Sequence, residues 1–164
     1  MSLSLLKSLI PKKKRQNESK DVIALDKSRL DALKSFTKSL KIPMGDGQIL
    51  NEALTHKSYT HERKMPAGYH NEKLEFLGDS VLGLVISQHV FETYPEVTEG
   101  GLSKVKSVIV SANLLSEKAK KINLSQYILL GKGEEKSGGR HRPALLADAI
   151  EAVIGAVYLV GGLG

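Results

Sequence analysis

The sequence contains no cysteine and no tryptophan, and aromatic residues make up only 5% of its 164 residues. Without cysteine the chain has neither disulfides nor thiolate metal ligands, which is typical of a reducing compartment such as the cytoplasm. So few aromatic side chains argue against a surface that stacks single-stranded bases. The 41% hydrophobic and 26% charged residues are ordinary values for one globular domain, which excludes a wholly disordered chain.

A membrane-spanning run is missing from the N-terminal segment. The apolar residues from Leu3 to Ile10 are too few to cross a bilayer. The basic cluster from Lys12 to Arg15 follows this run, which is the reverse of the order in a secretory signal. The cluster suits a nuclear-import signal, a membrane-surface contact or an RNA-contacting arm, and a solvated tail is the favoured interpretation. We expect a cytoplasmic protein with no membrane partner.

Positive charge is concentrated at the start of the chain. Residues 1–41 hold 11 Lys/Arg against 4 Asp/Glu, a net charge of +7, whereas residues 42–164 hold 13 against 14, a net charge of −1. The total of +6 is therefore no argument for nucleic-acid binding by the body of the chain. We divide the chain into a basic, disordered tail, residues 1–26, and a folded domain, residues 27–164.

Apolar residues recur at helical spacing from Ser28 onward, and no run alternates as a strand would. Ser28 is the expected cap of the first helix, and residues 61–69 and 129–142, which are rich in Gly, Pro or charge, are expected to be exposed loops. The sequence predicts a compact multi-helix domain of the all-α class. The expected helices run from Ser28 to before Pro43, over about 48–55 and 71–93, from Thr98 through Ala119, and over about 143–159.

An acidic stripe lies on the helix expected at 71–93. Glu72, Glu75 and Asp79 are spaced i, i+3 and i+7, which places them on one face of a helix. Most of the remaining circumference is apolar, so we expect this helix to be central in the fold. Like charges in such a place repel each other and raise the free energy of the folded state unless a cation compensates them.

The last helix repeats the pattern, because Asp148 and Glu151 are its only charges and are spaced i, i+3. If the two helices pack together, the acids form a cluster of four carboxylates in a partly dry cleft. Such hard oxygen ligands suit Mg²⁺ or Mn²⁺, and a carboxylate-held Mg²⁺ is well suited to phosphodiester hydrolysis. Two alternatives stay open: the acids are solvated, or they pair with lysines such as Lys73, Lys104 or Lys106.

Several segments together resemble the ribonuclease III family, the double-stranded-RNA endonucleases, in its bacterial form. The resemblance covers about residues 28–160 and is strongest in the run NEKLEFLGDS, residues 71–80. The other matching segments follow the family's order: ALTHKSY (53–59), TEGGL (98–102), GKGEEKSGG (131–139) and LADAIEA (146–152).

The resemblance implies a ribonuclease III endonuclease domain that forms a homodimer and cuts double-stranded RNA with Mg²⁺, for which Mn²⁺ is a possible substitute. It implies processing of ribosomal RNA precursors, messenger RNA and other structured RNAs, with 5′-phosphate and 3′-hydroxyl ends. The implied roles are metal ligands at Glu75, Asp148 and Glu151, catalytic acids at Asp79 and Glu151, supporting acids at Glu72 and Glu99, and a dimer contact at Phe76.

Other residues receive weaker interpretations. Gly78 and Gly83 are costly inside a helix, and close packing against another helix or a partner subunit explains them. For His56 and Tyr59 a structural role is favoured over a general base and a phenol. The segment from Lys136 to Arg142 is either an RNA-backbone contact or a solvated loop.

Bacterial members of the family continue with a further helix and a separate double-stranded-RNA-binding domain. Because this chain ends at Gly164, we expect a fragment or a truncated form that binds RNA weakly and in a salt-sensitive way. One alternative is a non-catalytic, ribosome-associated or scaffolding RNA-binding relative, which loss of a site carboxylate would mark. Another is an unrelated all-α metal phosphohydrolase, which typically needs His-Asp pairs that the chain lacks.

Overall fold

The computed structural model describes residues 24–163, and within that range the fold is all-α, as the sequence predicts. The expected basic tail lies almost wholly outside the described residues. The one β-type contact in the range is an isolated bridge between Thr55 and Leu129. The helices are α1 (Lys27–Leu40), α2 (Gln48–Ala53), α3 (Lys57–Glu62), α4 (Glu72–Thr93), α5 (Glu99–Ile109), α6 (Ala112–Lys121), α7 (Lys132–Lys136) and α8 (Pro143–Gly161), with 3₁₀ turns at Leu124–Tyr127 and Gly139–His141.

Helix α8 lies at the centre of the fold and packs against α4, α6 and α2. Pro143 occupies its first turn, where the missing N–H costs no helical hydrogen bond. Its sequence is mostly Ala, Val, Leu and Ile, so nearly every face can be buried. The buried residues of α8 are Leu145, Leu146, Ala147, Ala149, Ala152, Val153, Gly155 and Ala156.

Helix α4 does not hold the central position that its composition predicts. Among its side chains the buried apolar ones are Leu74 and Val90. Phe76, Leu84 and Phe91 are 77%, 56% and 70% exposed. The expectation of a central helix is therefore wrong for the single chain, because α4 packs against α8 and α5 and leaves an apolar face uncovered.

Two helix starts differ from the sequence prediction because side chains cap them at other positions. Asp26, not Ser28, caps α1, and its carboxylate accepts a 2.7 Å hydrogen bond from the N–H of Arg29. The helix expected from Thr98 through Ala119 is broken at Ser111, whose extended backbone and hydroxyl cap α6. The signal for this break, a serine one residue before a new amphipathic run, is present in the sequence.

The two expected loops are partly helical. Helix α3 extends to Glu62, inside the first of them, and α7 and a 3₁₀ turn lie in the second. The second segment is also anchored, since Gly131 N–H donates to Ser58 Oγ at 2.9 Å and Arg140 Nε donates to Glu135 at 2.8 Å. Most residues of 129–142 are exposed, as expected, but the segment is partly helical and is tied to α3, so it is not a loop throughout.

Helices α4 and α8 are long and apolar enough to cross a bilayer by length and composition. A helix in the core of a protein meets the same criterion, and α8 lies in the core here. The absence of a membrane partner stays a prediction.

Candidate metal centre

Helices α4 and α8 contact each other through their backbones at two glycines. Leu74 meets Gly155 while Gly78 meets Glu151, so the helices run antiparallel. A Cβ atom on Gly78 would overlap the carbonyl oxygen of Glu151, and one on Gly155 would overlap that of Leu74. The close packing expected at Gly78 is thus present. At Gly83 no close packing is seen among residues 24–163, because a Cβ there would meet only the end of Lys106, at 3.5 Å.

This close approach brings acids of the two helices together. Carboxylate oxygens of Glu75, Asp148 and Glu151 all lie within 4.8 Å of one another, and each residue is half-buried. We call these three residues the acidic cluster. Among the described residues no Lys or Arg forms an ion pair with any of them. The cluster is therefore held together by the helix packing and not by mutual attraction of its members.

Burial and the neighbouring negative charges both raise the pKa values of the carboxyl groups in the acidic cluster. Burial, followed by the charges of Asp79, Asp148 and Glu75, raises the pKa of Glu151 to about 7. Burial is also the main cause that raises the pKa of Glu75 and of Asp148. The ionised carboxylates are therefore unfavourable in the empty site, and a bound cation would stabilise them.

The donor set fits a hard divalent cation. Oxygen-only carboxylate ligands suit Mg²⁺ and Mn²⁺, and the cluster contains no nitrogen or sulfur ligand that would favour zinc or copper. Mg²⁺ keeps several waters and commonly takes only a few protein carboxylates. The residues present therefore match the cofactor that the sequence resemblance implies.

Comparison with known proteins identifies this helical arrangement. Residues 46–164 match the model of the family described as Ribonuclease-III-like. The chain belongs to the ribonuclease III family. It is similar to Ribonuclease 3 of Borreliella burgdorferi, with 50% identity over 82% of this chain and 54% of the relative. It is also similar to Ribonuclease 3 of Bacillus cereus strain AH187, with 47% identity over 81% of this chain and 54% of the relative.

Solved structures agree with the sequence relatives. The nuclease domain of ribonuclease III from Campylobacter jejuni, described with structural flexibility in the region involved in dimer formation, superposes with a TM-score of 0.73. It is 38% identical and aligned over 79% of this chain and 87% of that one. The chain thus corresponds to nearly all of a ribonuclease III nuclease domain, while it spans about half the length of the curated relatives it matches.

Asp79 lies one helical turn after Glu75 and remains exposed. Its charge contributes to the raised pKa of both Glu75 and Glu151, so it lies next to the acidic cluster without belonging to its innermost group. An exposed carboxylate at the edge of such a ribonuclease III site is free to contact water or a ligand.

Glu72 is paired with a cation that sequence reasoning missed. Lys57, in the first turn of α3, donates to Glu72 at 2.9 Å, and the two side chains are 54% and 48% exposed. This hydrogen bond is the main cause that lowers the pKa of Glu72. The charge of Lys57 also opposes part of the rise in the pKa of Glu75 and of Asp148, so Lys57 rather than Lys73, Lys104 or Lys106 is the cation beside the site.

Glu99, predicted as a supporting acid, is outside the acidic cluster. Glu99 occupies the first turn of α5, where its carboxylate accepts a 2.8 Å hydrogen bond from Ser103 Oγ in the same helix. It is not among the residues whose carboxylates converge.

His56 and Tyr59 make structural contacts, as favoured from the sequence. The Nδ1 atom of His56 accepts from the N–H of Ser58 at 3.2 Å and so caps α3. Burial lowers the pKa of His56, whose ring is near enough to Asp148 to affect that residue. The ring of Tyr59 is covered by the guanidinium of Arg63, 4.5 Å from its centroid.

Proposed function

We propose that this chain is the nuclease domain of a Mg²⁺-dependent endoribonuclease that hydrolyses phosphodiester bonds in double-stranded RNA. The observation that carries the proposal is the acidic cluster, which three carboxylates form on α4 and α8, both within the residues that match the family model. The expected products carry 5′-phosphate and 3′-hydroxyl ends. Ribosomal RNA precursors and other structured RNAs of the cytoplasm, messenger RNA included, are the proposed substrates.

Glu75, Asp148 and Glu151 are the proposed metal ligands. When bound, Mg²⁺ would supply charge neutralisation at the phosphate and a water of lowered pKa. The chain contributes a half-buried site whose carboxylates are preorganised by the contact between α4 and α8. Before a cation binds, Glu151 has a pKa of about 7 and holds a proton part of the time at neutral pH; a bound cation would displace that proton.

Asp79 and Glu151 are the proposed catalytic pair. Their charges interact across the edge of the cluster, and Asp79 is the more exposed of the two. In this proposal they orient the water that attacks the scissile phosphate. Glu72, kept ionised by Lys57, is a proposed supporting acid at the edge of the cluster. For Glu99 the same role is proposed only because its position matches the family's sequence.

The uncovered face of α4 is the proposed dimer interface. Phe76, Leu84 and Phe91 on α4 and Val108 on α5 are all more than half exposed. A patch of large apolar side chains on a soluble domain commonly marks an interaction surface. A two-fold homodimer would cover this face with the same face of a second copy, Phe76 included.

The non-catalytic alternative has less support. A relative that only binds RNA has no need to keep the site acids, yet Glu75, Asp79, Asp148 and Glu151 are all present. The phosphohydrolase alternative needs a histidine among its metal ligands. Within residues 24–163 no histidine joins the acidic cluster, and the family membership argues for the nuclease.

The test is incubation of a long, perfect RNA duplex with the protein in Mg²⁺, with Ca²⁺ as the control cation and single-stranded RNA and DNA duplex as control substrates. We expect cleavage that requires Mg²⁺ and occurs in the RNA duplex but in neither control substrate. The products should be ligatable without prior phosphorylation, because they carry 5′-phosphate and 3′-hydroxyl ends. A folded dimer that binds the duplex without cutting it would favour the non-catalytic alternative.

A further inference from the structure

Glu72 lies close to the acidic cluster and yet is not part of it. It stands one helical turn before Glu75 on the same stripe of α4, and its charge raises the pKa of both Glu75 and Asp148. Its carboxylate is nevertheless not among those that converge within 4.8 Å of one another. The side chain is 48% exposed, so burial does not hold it in one place. Contacts of the carboxylate itself therefore decide where it lies.

Both oxygens of the Glu72 carboxylate face groups that lie outside the cluster. The Oε1 atom accepts a 2.9 Å hydrogen bond from Nζ of Lys57, the first residue of α3. The Oε2 atom lies 3.6 Å from Nδ1 of His70, which precedes α4. Because 3.6 Å is too long for a hydrogen bond, the contact with Lys57 is the stronger of the two. Lys57 is therefore the residue that holds Glu72 at the edge of the cluster.

Lys57 acts against a bound cation in two ways. Its positive charge acts on Glu75 and Asp148, two of the three proposed metal ligands, and opposes part of the rise in their pKa values. A positive charge this near the site repels a divalent cation. Lys57 also engages Glu72, which without that partner is an exposed carboxylate one turn from Glu75 and can turn toward the ion. Removing Lys57 thus lowers the repulsion and supplies a fourth carboxylate.

A fourth carboxylate has different consequences for Mg²⁺ and Ca²⁺. Mg²⁺ dehydrates reluctantly and keeps several waters, so a few carboxylates are sufficient to bind it. Ca²⁺ accepts about six to eight oxygen ligands in a flexible geometry, so it gains more from each added carboxylate. The position of Glu72 therefore bears on which of the two ions the cluster prefers.

We propose that Lys57 is a specificity-determining residue of the metal centre, which holds Glu72 out of the acidic cluster and so weakens the binding of Ca²⁺ more than that of Mg²⁺. This proposal rests on the metal site of the proposed function and adds to it a role for a residue outside the cluster. Lys57 is a positioning residue in this account, because it acts through Glu72 and through its charge without touching the ion.

The test measures the affinity of the full chain for each ion without RNA, so its result does not depend on cleavage. Mg²⁺ and Ca²⁺ are titrated separately into metal-free protein at pH 8 and constant ionic strength, and binding is followed by calorimetry. Glu151→Gln, which lacks one proposed ligand, shows whether the ions bind at the acidic cluster. Circular dichroism confirms that each variant is folded.

Lys57→Gln should bind Ca²⁺ about tenfold and Mg²⁺ about threefold more tightly than the unmodified chain, because both ions escape repulsion but Ca²⁺ gains more from Glu72. Lys57→Arg keeps the charge and a donor to Glu72, so it should keep the affinities of the unmodified chain. In the double variant Lys57→Gln/Glu72→Gln the preferential gain for Ca²⁺ should vanish. Lys121→Gln, an exposed change on α6, is the matched control and should leave both affinities unchanged.

Three outcomes would overturn the proposal while leaving the metal site of the proposed function in place. They are unchanged affinities in Lys57→Gln, equal gains for the two ions, and a preference for Ca²⁺ that persists in the double variant. Ion binding that Glu151→Gln leaves unchanged would instead contradict the metal site itself, and this proposal with it.

Discussion

Gly78 lies directly against the backbone of Glu151, with no room for a Cβ atom between them. Glu75 and Asp79 flank Gly78 on α4, so this contact determines how closely their carboxylates approach that of Glu151. The acidic cluster can form only because Gly78, which has no side chain, lets α4 and α8 approach this closely. The position links the packing of the core to the chemistry of the site.

Gly78→Ala should therefore separate the helices and destabilise the domain. Its Cβ would overlap backbone atoms, which cannot rotate away, so we expect a loss of about 3 kcal/mol in the free energy of unfolding, the upper range for overpacking. Urea unfolding measures it. Gly83→Ala is the control in the same helix, where the new methyl meets only a flexible lysine. It should be neutral or stabilising by about 0.5–1 kcal/mol. Equal effects of the two changes would refute the packing argument.

The metal-free protein should lose stability as pH rises through the titration of Glu151. The pKa of Glu151 rises from its ordinary value of 4.5 to about 7 in the folded chain, so the folded state binds the proton more tightly than the unfolded state does. The stabilising contribution of that proton is complete below pH 4.5 and is lost as pH rises to about 7.

Glu151→Gln removes this penalty, so in EDTA its Tm should exceed that of the unmodified chain at pH 8. The expected difference is about 2–4 °C, the shift that about 1 kcal/mol produces in a domain of this size. At pH 5 the difference should nearly vanish. Glu117→Gln, an exposed acid on α6, is the control. A pH-independent difference between the Glu151 variant and the unmodified chain would exclude this account of the cluster.

Binding of Mg²⁺ should release a proton near neutral pH. A cation at the cluster lowers the pKa of Glu151 from about 7, so the proton that Glu151 holds at pH 6.5 must leave. Calorimetry in two buffers of different ionisation enthalpy measures the release. We expect a fraction of a proton per ion at pH 6.5 and almost none at pH 8.5. Release that does not depend on pH, or that persists in Glu151→Gln, would argue against binding at this residue.

Phe76→Ala should weaken self-association. An aromatic side chain that is 77% exposed on an apolar face is the kind of residue that contributes most to an interface. Because a two-fold dimer contains the contact twice, we expect the dimer dissociation constant to rise about a hundredfold. Sedimentation velocity over a concentration series measures it. Leu159→Ala, an exposed apolar change on α8, is the control, and an equal effect there would mean that Phe76 has no special role.

The acidic cluster was predictable because it depends on local periodicity. Spacings of three and four residues place Glu75 with Asp79 and Asp148 with Glu151 on single faces of two apolar helices, and such faces meet when the helices pack. Gly78, unfavourable in a helix, is the residue that indicates close contact.

The surroundings of the cluster were not predictable, because they depend on contacts between distant segments. Lys57 reaches Glu72 only because α3 folds back beside α4. Residues 131–142 look like a loop by composition, and it is pairing with Ser58 and Glu62 that orders them. Periodicity did not predict the exposed face of α4, because an apolar helix has the same sequence pattern whether its own chain or a second copy covers it; the dimer contact at Phe76 is implied by the family resemblance alone.

The most direct test of the central claim, that the acidic cluster is the site of metal-dependent RNA cleavage, is the cleavage rate of a perfect RNA duplex by Glu151→Gln. Glu117→Gln serves as the matched control, and circular dichroism confirms that both variants are folded. The account predicts that Mg²⁺-dependent cleavage falls by about a thousandfold or more in Glu151→Gln, a loss of roughly 4 kcal/mol of transition-state stabilisation, and is unchanged in Glu117→Gln. Cleavage by a folded Glu151→Gln at the rate of the unmodified chain would contradict it.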